Sequence, residues 1–389
     1  MKILSVETSC DETAVAVLEC EGGLENATFT ILGNSLYSQA ALHAPYGGVY
    51  PNLAKREHQG NLAPLATGAL TAAGMVHSPQ TPPTIDESVF KKIRDEGFKT
   101  EIRKFLEVTE KPDIELIAVT RGPGLEPALW TGITFAESIG AAWNIPVIGI
   151  DHMEGHIVST LLTKKSESEF SISGFELPLL ALLISGGHTE FVLMKDVFSY
   201  THVGATKDDA VGEAFDKVAR LLNFPYPGGP QIAEAAARAR ARGESSGITF
   251  PRPMAHDDTC DFSFSGLKTA VLYKLREMEH LSEQNKEDVA EAFENAARDV
   301  IILKARRALE ATTPKVFAVG GGVSANVEIR NALTELTAEE FPNVSIRFPD
   351  KTLTGDNAIM IAVAGYLRHK TGAKTVSDLS ALGNLKLAE

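Results

Sequence analysis

The pattern that most constrains this chain is a strand–polar turn–strand unit that occurs twice. MKILSVETSCDETAVAVLE places two apolar, β-prone arms around the turn SCDET, which carries Asp11 and Glu12. LPLLALLISGGHTEFVLMKD repeats the plan around a Gly/Ser-rich turn. Two halves that open in the same way imply a duplicated fold. After the first unit, IELIAVTRGPG reads as a strand entering a Gly-Pro-Gly turn, LWTGITFAESIGAAWN as a helix, and IPVIGI as a buried strand. Strands alternating with helices mark an α/β domain with a partly parallel sheet.

The 389 residues are enough for two domains. The expected first domain is 1–165, completed by a C-terminal helical segment at 355–389; the second is 176–354. KKSESEFSISG reads as a polar connector. The stretch 75–111 begins with the Pro-rich HSPQTPPT and continues as a charged amphipathic helix, FKKIRDEGFKTEIRKFLEV. It reads as a surface insertion outside the core.

IPVIGI leads into Asp151 and then HMEGHIVSTLL, which reads as a helix capped by Asp151. His152 and His156 stand at i and i+4, on one face and about 40° apart. Neutral imidazoles so placed can share one divalent cation; the alternative is a pair of half-buried helix histidines. Asp356, in TGDNAIMIA, has the position of an N-cap. Its carboxylate can instead turn outward and complete a His-His-Asp set.

Three glycine loops follow. ISGGHT lets backbone N–H groups approach a phosphate, although a plain hairpin turn has the same look. AVGGGVSAN is a strand-to-helix junction whose helix start offers unpaired N–H groups, with Asn326 able to reach a ribose or base. YPGGP is the third. Asp216, in GEAFDKVAR, is either a solvated helix charge or a carboxylate that accepts ribose hydroxyls.

The net charge of −14 argues against nucleic-acid binding over the whole surface. Local basic patches remain candidates: Lys91, Lys92, Arg94, Lys99, Arg103 and Lys104; Arg238, Arg240 and Arg242; Lys304, Arg306 and Arg307. The longest apolar run, LPLLALLI, is far short of the roughly 20 residues of a membrane span. Three cysteines without CxxC spacing suit a reducing cytosol, so a soluble cytoplasmic protein is expected.

The pieces ETSCDET, GPGL, HMEGH, LLISGGHT, GEAFDKVARLL, YPGGP, FSFSGLKTAV, GGGVSAN and GDNAIMIA, in this order, resemble the TsaD family. Its members are the tRNA N6-adenosine threonylcarbamoyltransferases, formerly described as O-sialoglycoprotein endopeptidases. The resemblance spans nearly the whole chain, and the His of SGGHT is of the bacterial type. It implies a duplicated actin-like, sugar-kinase-like (ASKHA) fold, two related α/β domains with nucleotide between them. By position His152, His156 and Asp356 match the family's ligands for one divalent metal ion, Fe2+ or Zn2+. Ile184, Ser185, Gly186, Gly187 and His188, with Asp216, Gly229 and Asn326, match its nucleotide and substrate contacts. Asp11 and Glu12 match an acidic turn near the metal, and one of them is the expected proton acceptor.

The implied reaction moves a threonylcarbamoyl group from threonylcarbamoyl-adenylate to N6 of the adenosine 3′ of the anticodon, in tRNAs reading ANN codons. ATP or AMP can occupy the donor's site. Implied partners are tRNA, a non-catalytic TsaB-like homologue and a TsaE-like ATPase, with no membrane. The helix after GPGL, with small residues Gly132, Ala136 and Gly140, is the expected heterodimer face. The chain departs from the family in its longer 75–111 stretch, in Gly355 where Thr is common, and in Glu126 and Pro127 after GPGL. A metalloprotease is disfavoured because Glu154 sits at i+2, about 200° round the helix from His152. The remaining alternatives are a metal-dependent kinase or carbamoyltransferase of the same fold acting on a small molecule, and a non-catalytic ATP-binding scaffold. Kinases of this fold need no paired histidines.

Overall fold

β1 (Lys2–Glu7) and β2 (Glu12–Glu21) pair antiparallel from Lys2↔Glu19 to Glu7↔Ala14. The structure is a computed structural model describing residues 1–77, 79, 83–173, 175–244, 246–375 and 378–388. It divides into two units: Met1–Ala40, Val49–Phe175 and Gly355–Lys386; and Ala41–Gly48, Glu176–Thr354 and Leu387–Glu389. Residues 78 and 80–82 of the Pro-rich stretch, and 376, 377 and 389 of the C-terminal segment, lie outside the described residues.

In the first unit, β3 (Thr28–Ser38) extends β2, and β4 (Leu116–Gly122) and β5 (Val147–Asp151) run parallel to β1 on its other side. β6 (Leu162–Lys164) and β7 (Glu169–Ile172) complete the order β5-β4-β1-β2-β3-β7-β6. The polar connector of the sequence reading therefore carries a strand. Phe170, Ser171 and Ile172 are all buried there despite the charge of the run.

Strand alternation sorts the inner residues of β1 onto two faces. Leu4 and Val6 join the apolar cluster formed with the helices that follow the short α1 (Ala40–His43): α2 (Pro51–Ala72), α3 (Glu96–Val108) and α4 (Glu126–Trp143). Ile3, Ser5 and Glu7 face the other way, where Ser5 donates to the carbonyl of Ala358 at 2.6 Å. Two helices cover that side: α5 (His152–Ser159) and α11 (Ala358–Lys370), with described residues after Lys370 non-helical. A sheet covered on both faces explains why β1, β4 and β5 read as nearly continuous apolar runs.

Two expectations are corrected here. Within 75–111, the part from Phe90 to Leu106 is no surface appendage: Phe90, Ile93, Phe98, Ile102, Phe105 and Leu106 all enter the core cluster. Phe105 lies 5.9 Å from Phe135 and 5.7 Å from Trp143, ring centre to ring centre. The small residues of α4 are not a docking face either. Gly132, Ala136 and Gly140 are buried; a Cβ at Gly132 would stand 2.3 Å from Thr8 Oγ1, and one at Gly140 2.6 Å from Val147. They let α4 approach its own sheet.

The second unit repeats the opening. β8 (Leu179–Ile184) pairs antiparallel with β9 (Thr189–Asp196) and parallel with β11 (Val316–Gly320). With β10 (Ser199–Ala205) and β12 (Ser345–Arg347) the order is β10-β9-β8-β11-β12. In each unit the first strand is antiparallel to the second and parallel to a later one. Helices α6 (Val211–Leu221), α7 (Gly228–Arg242), α8 (Ser265–Arg276), α9 (Glu283–Thr312) and α10 (Val327–Glu340) supply this core, where Phe215 meets Phe293 edge-on at 4.9 Å.

Candidate metal centre

α5 begins as its sequence predicts: the Asp151 carboxylate accepts from the amides of Met153, at 2.8 Å, and Glu154, at 3.3 Å. That start turns both histidines towards α11. At its head, Asn357 rather than Asp356 is the N-cap, accepting from the Met360 amide at 2.9 Å. Asp356 is thereby released to face the histidines. Its Oδ1 lies 3.3 Å from Nε2 of His152 and 3.2 Å from Nε2 of His156, and the three ligating atoms lie within 4.8 Å of one another. The imidazoles stand edge to face with centres 4.7 Å apart. Ligand atoms arranged tetrahedrally at about 2.1 Å from a cation are separated by about 3.4 Å, and two imidazoles with one carboxylate are a donor set for such an ion. The buried His152, His156 and Asp356 group can hold a metal.

Each charge here is set by its neighbours. His152 is held well above the usual imidazole value: burial pulls it down, and the Asp356 and Glu7 carboxylates outweigh burial. Asp356 lies well below the carboxylate range, because His152 and His156 overcome the upward push of burial. Glu7 was absent from the sequence reading. It is fully buried, and its Oε2 stands 3.0 Å from Nδ1 of His152. A carboxylate at the end of an apolar strand is the signal that could have found it, since a buried acid needs donors. Glu154, the residue a protease would need beside the metal, instead binds Arg368 on α11 at 2.7 and 2.5 Å.

The acidic turn is braced from below. The buried His58 takes a hydrogen bond from the Thr13 hydroxyl on Nδ1, at 2.7 Å, and donates from Nε2 to the Cys10 carbonyl, at 3.1 Å. The Gln39 amide donates to the Asp11 carbonyl at 2.9 Å. Glu12 is pushed up to about 9, by burial first and then by the charges of Asp356 and Asp11, and it shares a hydrogen bond with Asp11.

In the second unit the glycine loops converge. Ser185 and His188 close the β8–β9 turn, with the Ser185 amide donating to the His188 carbonyl at 2.9 Å, while Gly186 and Gly187 face open space. Gly212, at the start of α6, donates to the Ser185 carbonyl at 3.2 Å. Gly321 has φ 89°, and a Cβ there would lie 2.5 Å from the Ile184 carbonyl, so the GGG loop meets the same turn. Ile184 itself is buried in the sheet. Asp216 accepts from the Gly228 amide at 2.7 Å, which anchors the loop bearing Gly229, itself facing open space. Asn326 is engaged at both ends of its amide: Oδ1 caps α10 through the Ile329 amide at 3.0 Å, and Nδ2 donates to buried Glu294 at 2.6 Å.

The basic patches are largely paired with acids. Lys92 binds Glu137 and Asp378, Arg103 binds Glu87, Arg238 binds Glu234 and Glu287, Arg240 binds Glu294, Arg242 binds Glu287 and Asp288, and Arg306 binds Glu340. Lys304 is no surface cation at all. It is fully buried, with Nζ 2.6 Å from Asp257 and 2.9 Å from the Thr259 carbonyl.

Two α/β units that open in the same way, one carrying a His-His-Asp set, define the class: a duplicated α/β protein with a candidate metal centre. The chain is similar in structure to HypF from T. kodakarensis, with a TM-score of 0.52 and 12% identity, over 97% of this chain and 49% of that one. It is 39% identical over 374 residues to the tRNA N6-adenosine threonylcarbamoyltransferase of Burkholderia mallei (strain ATCC 23344), covering 95% of this chain and 92% of the relative. The family TsaD, tRNA N6-adenosine threonylcarbamoyltransferase, matches residues 30–79 and 100–363. The chain belongs to the TsaD family, and its activity is threonylcarbamoyl transfer to N6 of adenosine in tRNA.

Proposed function

We propose that His152, His156 and Asp356 hold one Fe2+ or Zn2+ ion, and that the donor is threonylcarbamoyl-adenylate. The observation that carries this reading is the approach of both Nε2 atoms to one carboxylate oxygen, at 3.2 and 3.3 Å. When bound, the ion supplies Lewis acidity towards a phosphate or carbamoyl oxygen of the donor. The backbone of Ser185–His188 and of Gly229 takes the adenylate's polar groups, a site that AMP or ATP can also fill. Asp216 and Asn326 serve it by holding the Gly228 loop and the start of α10. This fixes the donor's orientation before reaction.

The adenosine amine is a weak nucleophile and must lose a proton as its bond to the carbamoyl carbon forms and the bond from that carbon to the phosphate oxygen breaks, releasing AMP. Asp11 and Glu12 form the acceptor pair. Neutralising Asp356 removes one of the charges that hold Glu12 up, which readies the pair for that proton. The acceptor is the adenosine 3′ of the anticodon in tRNAs reading ANN codons. The protein works in the cytoplasm with a TsaB-like homologue and a TsaE-like ATPase; among the described residues no helix is long and apolar enough to cross a membrane.

The test is nucleoside analysis of unmodified tRNA incubated with synthetic donor, the TsaB-like and TsaE-like partners, and either purified wild type or His156→Ala. Threonylcarbamoyladenosine is expected from the wild type and not from the variant, with the variant's circular dichroism unchanged. Equal yields from both would reject the metal's role.

A further inference from the structure

The unassigned feature with the clearest chemistry is Glu7. It ends β1 on the same face as Ile3 and Ser5, and it is fully buried. Three donors meet its carboxylate: the Ser9 amide on Oε1 at 2.5 Å, the Thr120 hydroxyl on Oε2 at 2.6 Å, and His152 Nδ1 on Oε2 at 3.0 Å. Two of these donors come from β4 and from the turn after β1, so the carboxylate is fixed whatever the imidazole does. A carboxylate so held accepts, and the group facing it must be Nδ1–H. That leaves Nε2, which faces Asp356, as the nitrogen that can give up its proton to a cation. His156 is different: its Nδ1 is buried and finds no partner among the described residues. Orientation of the pair thus rests on one carboxylate.

We propose that Glu7 is a positioning residue of the metal centre, locking His152 in the Nδ1–H tautomer so that Nε2 is presented to the cation. This rests on the reading that the His-His-Asp set binds metal. Outer carboxylates of this kind fix a ligand's ring and raise its basicity. Glutamine at position 7 keeps its carbonyl oxygen for the Ser9 amide but turns its NH2 group towards Nδ1 and the Thr120 hydroxyl, which can rotate to accept from it. The ring proton is then driven to Nε2, where it blocks the metal.

The experiment uses the full chain, freed of metal and reloaded with zinc alone. Competition with a chromophoric chelator measures zinc affinity for wild type, Glu7→Gln, Glu7→Asp and His156→Ala. NMR of histidine-15N-labelled, zinc-loaded protein reports which ring nitrogen of His152 carries the proton. Expected are Nδ1–H in the wild type, an affinity loss of about 10–100-fold in Glu7→Gln, and partial recovery in Glu7→Asp. Zinc bound equally tightly by folded Glu7→Gln, or a wild-type His152 protonated on Nε2, overturns the proposal. Should Glu7→Gln not fold, the wild-type spectrum alone decides. Wild type binding zinc no better than His156→Ala would instead defeat the metal reading underneath it.

Discussion

Lys304 shows how misleading a single cation in a sequence can be. It stands in a run with Arg306 and Arg307 that reads as a basic patch, yet its ammonium is buried against Asp257. The pair holds the Asp257 carboxyl down at about 2, the Lys304 hydrogen bond being the largest cause. A carboxyl lowered from 3.8 in the unfolded chain contributes stability that is complete above about pH 4 and lost as the pH falls through 2. Lys304→Glu is expected to cost about 3–5 kcal/mol, because it puts an uncompensated carboxylate at a buried position beside the half-exposed Asp257. Urea unfolding at pH 7 checks the magnitude. Repeated at pH 3 on the wild type, it should give a lower midpoint. A variant as stable as the wild type would return Lys304 to the surface.

At the scale of elements, local chemistry was legible and coverage was not. Asp151 announced its helix because capping depends on residues two and three positions away. The cap of α11 was read one residue early, at Asp356, since Asp and Asn in sequence are equally good caps. Only the fold shows that Asn357 takes the role and sets the carboxylate free. α3 was read as an appendage because its polar face is visible in the sequence and the partner of its apolar face is not. Phe105→Ala is therefore expected to destabilise by about 3–5 kcal/mol, as for other buried aromatics, read as a lowered melting temperature. In the second unit, Gly321→Ala must strain φ 89° and displace the Ile184 carbonyl. It is expected to cost about 1–3 kcal/mol and to weaken AMP binding measured by calorimetry. Unchanged AMP affinity would separate the GGG loop from the nucleotide.

For the whole molecule, the duplication was readable from two strand–turn–strand units, and the parallel strands β4 and β11 repeat it one level up. The metal set was half legible. Two histidines one turn apart are a local signal, whereas Asp356 lies 200 residues from His156 and reads equally well as a helix cap until the fold brings it to them. Glu7, 145 residues from His152, opens the ETSCDET motif, but nothing in its spacing ties it to that histidine, because its meaning is burial. A cation that binds the folded chain alone must stabilise it. Zinc at about 100 times its dissociation constant is expected to add about 2.7 kcal/mol, seen as a rise in melting temperature over chelator-treated protein. His156→Ala should show no such rise.

The most direct measurement is threonylcarbamoyladenosine formed on tRNA by chelator-stripped protein, with synthetic donor and any partner proteins present, as Fe2+ or Zn2+ is added back. Formation should be absent without metal and climb to a plateau at about one equivalent per chain. Full formation by the stripped protein, unchanged by added metal, would contradict a centre built from His152, His156 and Asp356.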